Sequence, residues 1–194
     1  MIRTYSGLYV DPLDIRPEQI RIRDIAHHLA CFNRFCGAVY KPINIASHSI
    51  LVHEIVEFET NDVQVRLQAL LHDATEAYLG DVTKWLKQSP QMQGYRDAED
   101  KAHGVIMDRF CLPHELFPIV KEADRIAVTF EAQQGFRDPN WHTGMPISYA
   151  ELTEREKAAI GDHDPFMSWY YAKNNFLDVF YELWNAYGED DDEA

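Results

Sequence analysis

The sequence predicts an all-α fold, a helical bundle preceded by a short N-terminal hairpin or extended arm. Three observations carry this expectation. Apolar residues recur at three-four spacing in successive segments from Ile22 onward. The strand signal, aromatic and β-branched residues around a Ser-Gly turn, is confined to residues 4–12. Pro, Gly and Asx residues fall between the periodic segments, where helices start and stop.

In chain order, Ile22, Ile25, Ala26, Leu29, Phe32, Asn33 and Cys36 define a first amphipathic helix, with Gly37 as its stop. Residues 43–58 form a second, supported by Ile45, Ile50, Leu51, Val52, Ile55 and Val56. Asp62 caps a third, which runs through Leu70, Leu71, His72 and Asp73 to about Tyr78 and ends at Gly80. A short helix over residues 82–86 precedes the break at Pro90, and residues 95–110 are helical again. Pro118 sits near the start of another helix, through Phe130, and residues 135–147 read as loop. Residues 149–160 hold a short helix, and Asp164-Pro165 begins the last long one, to about Tyr187. The acidic block over residues 189–194 reads as a disordered tail, leaving residues 1–188 as a single domain.

The chain has 194 residues, with 18 Lys plus Arg against 32 Asp plus Glu and a formal net charge of −14. Such a balance repels a nucleic-acid polymer but leaves room for a small nucleotide whose charge one pocket can offset. No stretch is apolar enough for a membrane span and no signal peptide is visible, so a cytoplasmic protein is the expectation. Cys31, Cys36 and Cys111 follow no disulfide or zinc-knuckle spacing and read as buried free thiols in a reducing compartment.

The stretch from Leu70 to Asp81 places His, Asp, Glu and Asp directly after a buried turn. His72 and Glu76 are four apart, hence on one face of a continuous helix, with Asp73 on its flank. Gathering imidazole and carboxylates there is costly unless a divalent cation compensates. Taken alone, His48 reads as a core histidine and Asp124 as half of a surface ion pair. Together with His72 and Asp73 they make a His…His-Asp…Asp set spread over three helices. That set suits a catalytic metal with positions left open for water and substrate.

This pattern resembles the HD superfamily of metal-dependent phosphohydrolases. The resemblance extends to Thr4-Tyr5-Ser6-Gly7, Asp24-Ile25-Ala26, Asn33-Arg34-Phe35, Ala46-Ser47-His48-Ser49, the run from His72 to Tyr78, and Glu122-Ala123-Asp124. It is similar to the bacterial and prophage YfdR-like branch and to the viral dATP triphosphohydrolases called DatZ. It spans about residues 2–130, with a looser match to about residue 185. The resemblance implies an HD-domain bundle with His48, His72, Asp73 and Asp124 as ligands of one divalent transition metal, among Mn, Co, Zn, Fe and Ni. Glu76 is then the general acid/base, and Asp81 orients water and substrate. Arg34, paired with Phe35, is expected to clamp phosphate through its guanidinium. Lys84, Lys87 and Lys121 are further candidates for a triphosphate tail, and each also reads as a solvated surface lysine.

The implied activity is deoxynucleoside triphosphate triphosphohydrolase with a preference for dATP, giving deoxynucleoside and inorganic triphosphate. The alternatives are a 5′-deoxynucleotidase acting on monophosphates and a non-catalytic HD-fold nucleotide-binding protein. The aromatic series Trp169, Tyr170, Phe176, Phe180 and Trp184 suits core or subunit packing and points to a homo-oligomer.

Overall fold

The computed structural model describes residues 1–137 and 151–188. Most of the expected 135–147 loop, the start of a helix at Tyr149 and the 189–194 tail lie outside these residues. The described residues form a helical bundle with a two-stranded N-terminal hairpin. Strands β1 (Ile2–Arg3) and β2 (Tyr9–Val10) pair antiparallel, Ile2 opposite Val10. Nine helices follow among the described residues: α1 (Ile22–Cys31), α2 (Ile45–Glu59), α3 (Val63–Leu71), α4 (Glu76–Leu79), α5 (Lys84–Lys87), α6 (Gln93–Arg109), α7 (Pro118–Gly135), α8 (Glu154–Ile160) and α9 (Trp169–Tyr187).

Local chemistry sets several helix starts. The Asn44 side chain accepts from the Ser47 amide at 2.9 Å to open α2. Asp62 accepts from the Gln64 and Val65 amides to open α3, as expected. Thr153 and Glu156 form a reciprocal capping box on α8. Ser168 caps α9, so the last helix begins later than Asp164-Pro165. The Phe166 amide instead donates to the Asp164 carboxylate across a turn.

Helix α2 is the hub, packing on α1, α3, α7, α8 and α9. It is buried along most of its length because the apolar residues around it serve two cores. On one side Ile45, Ala46 and Ile50 join α1, α3, α6 and α9. On the other, Leu51, Val52, Ile55 and Val56 meet Val120, Ala123 and Ala127 of α7 and Ile160 of α8. The aromatic series of α9 divides: Phe176, Phe180 and Trp184 are core, with Phe180 stacked on Trp184 at 5.7 Å, while Trp169 and Tyr170 remain about half exposed. Each fully buried Phe contributes roughly 1.5–3 kcal/mol relative to exposure. No described helix is long and apolar enough to cross a membrane.

Two expectations are corrected. Cys31, Cys36 and Cys111 are free but exposed, because Cys36 and Cys111 lie in left-handed turns beyond helix ends and Cys31 closes α1 on its outer side. The first helix stops at Cys31 rather than continuing to Cys36. There the chain turns so that Asn33 bridges Asn44, and the Arg34 amide donates to the Ile43 carbonyl at 2.8 Å.

The buried His53 of α2 illustrates the cost of burying an ionisable group. Burial, then the nearby Arg66 charge, push its pKa down to about 4. A depressed histidine gives stability that is full above the unfolded pKa of about 6.5 and is lost as pH falls toward the folded value. Urea unfolding of wild type should therefore lose about 2 kcal/mol between about pH 7 and about pH 5 that His53→Gln does not lose. Parallel pH profiles for the two proteins would contradict this.

Candidate metal centre

Three elements converge at one end of the bundle: α2 brings His48, the turn after α3 brings His72 and Asp73, and α7 brings Asp124. His48 and His72 are buried, their ring centroids 5.2 Å apart. One ligand atom from each of His48, His72 and Asp73 lies within 4.8 Å of the other two. Asp73 Oδ2 stands 3.2 Å from His72 Nε2 and 3.6 Å from His48 Nε2. Asp124 Oδ1 approaches the same two nitrogens, at 3.1 Å from His48 and 4.0 Å from His72.

The far side of each ring fixes which nitrogen faces the cluster. His72 Nδ1–H donates to the Ala69 carbonyl at 2.8 Å, and His48 Nδ1–H donates to Glu131 Oε1 at 3.1 Å. Both Nε2 atoms are buried without a hydrogen bond, beside carboxylate oxygens. Two unbonded imidazole nitrogens and at least one carboxylate oxygen, each imidazole steadied through its other nitrogen, fit a divalent transition metal.

The local charge balance is also suited to a cation. Burial disfavours charge on His72, yet Asp73 and Asp124 push its pKa up to about 9. His48 is likewise raised, Glu131 and Asp124 outweighing burial and Arg34. Burial works against ionisation of Asp73, but His72, His48 and Arg34 hold its carboxyl well below the usual range. A divalent cation must displace the protons that these histidines retain.

The turn carrying His72 and Asp73 departs from the expected continuous helix. Ala74, Glu76, Ala77 and Tyr78 amides bond carbonyls three residues back, those of Leu71, Asp73, Ala74 and Thr75. With about three residues per turn, side chains three apart eclipse, so Asp73 rather than His72 is the neighbour of Glu76. Gly80, at φ 77°, then closes α4 in a conformation few other residues adopt. Glu76 is buried with Oε2 unpartnered. Burial, then the carboxylates of Asp73 and Asp81, push its pKa up to about 9. Asp81 is half-buried and raised mainly by burial.

Arg34 reaches the cluster from the loop after α1. Its Nε donates to Glu131 Oε2 at 3.0 Å and its Nη1 to Asp73 Oδ2 at 3.5 Å. Phe35 lies under the guanidinium at 5.7 Å and packs edge-on against Phe136 at 5.5 Å. Phe35, Cys36 and Gly37 all have positive φ, a left-handed run directly after Arg34. Lys84 and Lys121 are exposed. Lys87, half-buried and paired with Glu99, carries the α5 charge that Glu76 and Asp81 feel.

Sequence reasoning missed Glu131, wholly buried and bonded to both Arg34 and His48. A signal existed: it lies seven residues after Asp124, two turns along α7 and so on the same face. His28 Nδ1–H donates to the Ala77 carbonyl at 2.7 Å and its Nε2 accepts from the Tyr5 amide at 3.0 Å, linking the hairpin to α4. Asp24 holds the hairpin tip through the Ser6 amide and hydroxyl, at 2.6 and 2.7 Å. A cleft of about 530 Å³ between α1 and the start of α9, lined by His27, Cys31, Asn33, Met167 and Trp169, includes none of the cluster residues.

Fold and site together define an all-helical protein with an HD-like metal-binding cluster. The chain is 37% identical over 140 residues to an uncharacterized protein of Rhodobacter capsulatus, covering 68% of this chain and 71% of that one. It is 34% identical over 130 residues to the uncharacterized protein YfdR of Escherichia coli strain K12, covering 67% of this chain and 69% of YfdR. No family model matches the chain. At that identity and coverage, it belongs to the YfdR-like family.

Two outcomes follow for this site. Mn²⁺ or Co²⁺ should bind with an affinity that rises with pH up to about 9, as the cation displaces the His72 proton. Isothermal titration at several pH values reads this directly, and a flat profile would contradict it. A Cβ on Gly135 would meet Val39 Cγ1 at 2.5 Å, against the loop that carries Arg34. Gly135→Ala should lower stability by about 1–3 kcal/mol, which urea unfolding measures; unchanged stability would contradict the close approach.

Proposed function

We propose that the chain is a metal-dependent phosphohydrolase acting on deoxynucleotides. The observation that carries this reading is the pair of buried His48 and His72 Nε2 atoms, unbonded and facing shared carboxylate oxygens. A divalent cation held by His48, His72, Asp73 and Asp124 supplies charge neutralisation at a phosphoryl oxygen and a more acidic water. Glu76, whose carboxyl is pushed up by burial and by Asp73 and Asp81, is suited to give a proton to the leaving oxygen. Asp81, beyond Gly80, orients water and substrate. Arg34, with Phe35 beneath it, offers donors to a phosphoryl group.

The resemblance to DatZ favours a deoxynucleoside triphosphate as substrate, dATP first, cleaved to deoxynucleoside and inorganic triphosphate. A second reading, 5′-deoxynucleotidase, has a specific observation behind it. Arg34 and Lys87 are the cations whose charge bears on Glu76, and each is already paired with a carboxylate. Residues 138–150 contain no Lys or Arg that could add to them. A triphosphate would then draw on Lys84 and Lys121, whereas a monophosphate needs little beyond Arg34 and the metal. The exposed Trp169, Tyr170 and Tyr171 support self-association of the chain.

The test is incubation of the Mn²⁺- or Co²⁺-loaded protein with deoxynucleoside mono-, di- and triphosphates and chromatography of the products. Inorganic triphosphate with deoxynucleoside is the first reading, and orthophosphate from monophosphates alone is the second. Asp73→Ala should abolish turnover, and Glu76→Gln should lower it by about 100- to 10,000-fold. Absence of metal-dependent turnover on every nucleotide would leave a nucleotide-binding protein without catalysis.

A further inference from the structure

We infer that Glu131 is a positioning residue whose single carboxylate couples metal binding at His48 to phosphate recognition at Arg34. The inference deepens the phosphohydrolase reading and rests on it for the phosphate half alone. Glu131 is wholly buried on α7. Its two oxygens are divided: Oε1 accepts from His48 Nδ1–H at 3.1 Å, and Oε2 accepts from Arg34 Nε–H at 3.0 Å. No described water-facing group competes for either oxygen, since the carboxylate is only 1% exposed.

Each bond has a separate consequence. The bond to Nδ1 commits that nitrogen as a donor, so Nε2 is the nitrogen that faces Asp73 and Asp124. The bond to Nε holds the guanidinium on Glu131, leaving Nη1 directed at Asp73 Oδ2, 3.5 Å away on the cluster side. Arg34 stands on a loop with three successive left-handed residues, which by itself fixes a side chain poorly. The carboxylate supplies the fixed point. Because one rigid group serves both partners, displacement of either is felt by the other.

A glutamine in this place has the same shape but one acceptor oxygen for two buried donors. Its amide NH₂ would face either His48 Nδ1–H or Arg34 Nε–H, donor against donor. Glu131→Gln should therefore weaken both functions together, which a purely structural residue would not do. Thr129→Val is the comparison variant. It removes a buried hydroxyl bond to the Arg125 carbonyl on the same helix without touching the cluster.

The experiment is Mn²⁺ titration of wild type, Glu131→Gln and Thr129→Val, followed by inorganic phosphate titration of the Mn²⁺-saturated proteins and thermal melting of the metal-free ones. The expected result is Mn²⁺ affinity lower by about 10- to 100-fold in Glu131→Gln, phosphate binding weakened in the same variant, and neither changed in Thr129→Val. Glu131→Gln with metal affinity within about twofold of wild type, or with only one of the two functions weakened, overturns the coupling. A melting temperature lowered alike in both variants, with metal and phosphate binding intact, makes Glu131 a packing residue and also overturns it. Wild type that takes up Mn²⁺ but hydrolyses no nucleotide ends the phosphohydrolase reading while the metal comparison still decides the Glu131–His48 half. Wild type that takes up no Mn²⁺ overturns both.

Discussion

The site depends on one guanidinium, that of Arg34, whose side chain is only 12% exposed. Asp73, Asp124 and Glu131 gather at the meeting of α2, α3 and α7, and burial opposes the charge on each of them. Arg34 lies within reach of two of these carboxylates and lowers both. Removing it would leave buried anions uncompensated, which is far costlier than losing a surface pair. The backbone accepts strain to put it there. Phe35 and Cys36, neither a glycine, take left-handed conformations, and Phe35 repays some of that cost by packing on Phe136 and beneath the guanidinium.

A second framework supports the turn that carries Glu76. Asp24, buried on α1, binds the Ser6 amide and hydroxyl and so fixes the hairpin tip. The next turn of α1 carries His28, whose two nitrogens join the Tyr5 amide to the Ala77 carbonyl. Ala77 follows Glu76 directly. The N-terminal motif is thus part of the scaffold of the short helix that presents Glu76, although it contributes no group to the cluster itself. Gln68 performs a similar service from α3, its amide spanning the Pro113 and Glu115 carbonyls and the Phe117 amide ahead of α7.

Much of this was legible in the sequence, for identifiable reasons. Helical periodicity is a property of the local chain, so α2, α3, α6, α7 and α9 could be read from apolar spacing and from caps such as Asp62. The meeting of His48, His72 and Asp73 was legible because ionisable groups on apolar helix faces are costly unless they share a purpose. The tightened turn at His72 was not. It consists of amides of Ala74, Glu76, Ala77 and Tyr78 bonding carbonyls three residues back, which no periodic pattern encodes. The end of α1 at Cys31 depends on pairing of Asn33 with Asn44, a contact eleven residues apart in sequence that propensity does not reveal. Cysteine burial was misjudged because average preference ignores position at a helix end. Glu131 could be found only by extending the helical face of Asp124 two further turns and asking what a second buried acid would neutralise.

The two histidines complete the charge balance of the site. Asp73, Asp124 and Glu131 face Arg34, which alone does not offset them, and they raise the pKa values of His48 and His72. Protons on the two imidazoles supply the remaining positive charge. A divalent cation between His48, His72 and Asp73 would exchange with those protons rather than add to them. Each Nδ1 is already committed, that of His72 to the Ala69 carbonyl and that of His48 to Glu131, so the exchange would concern the two Nε2 atoms. The same carboxylates thus suit either occupant, and pH decides between them.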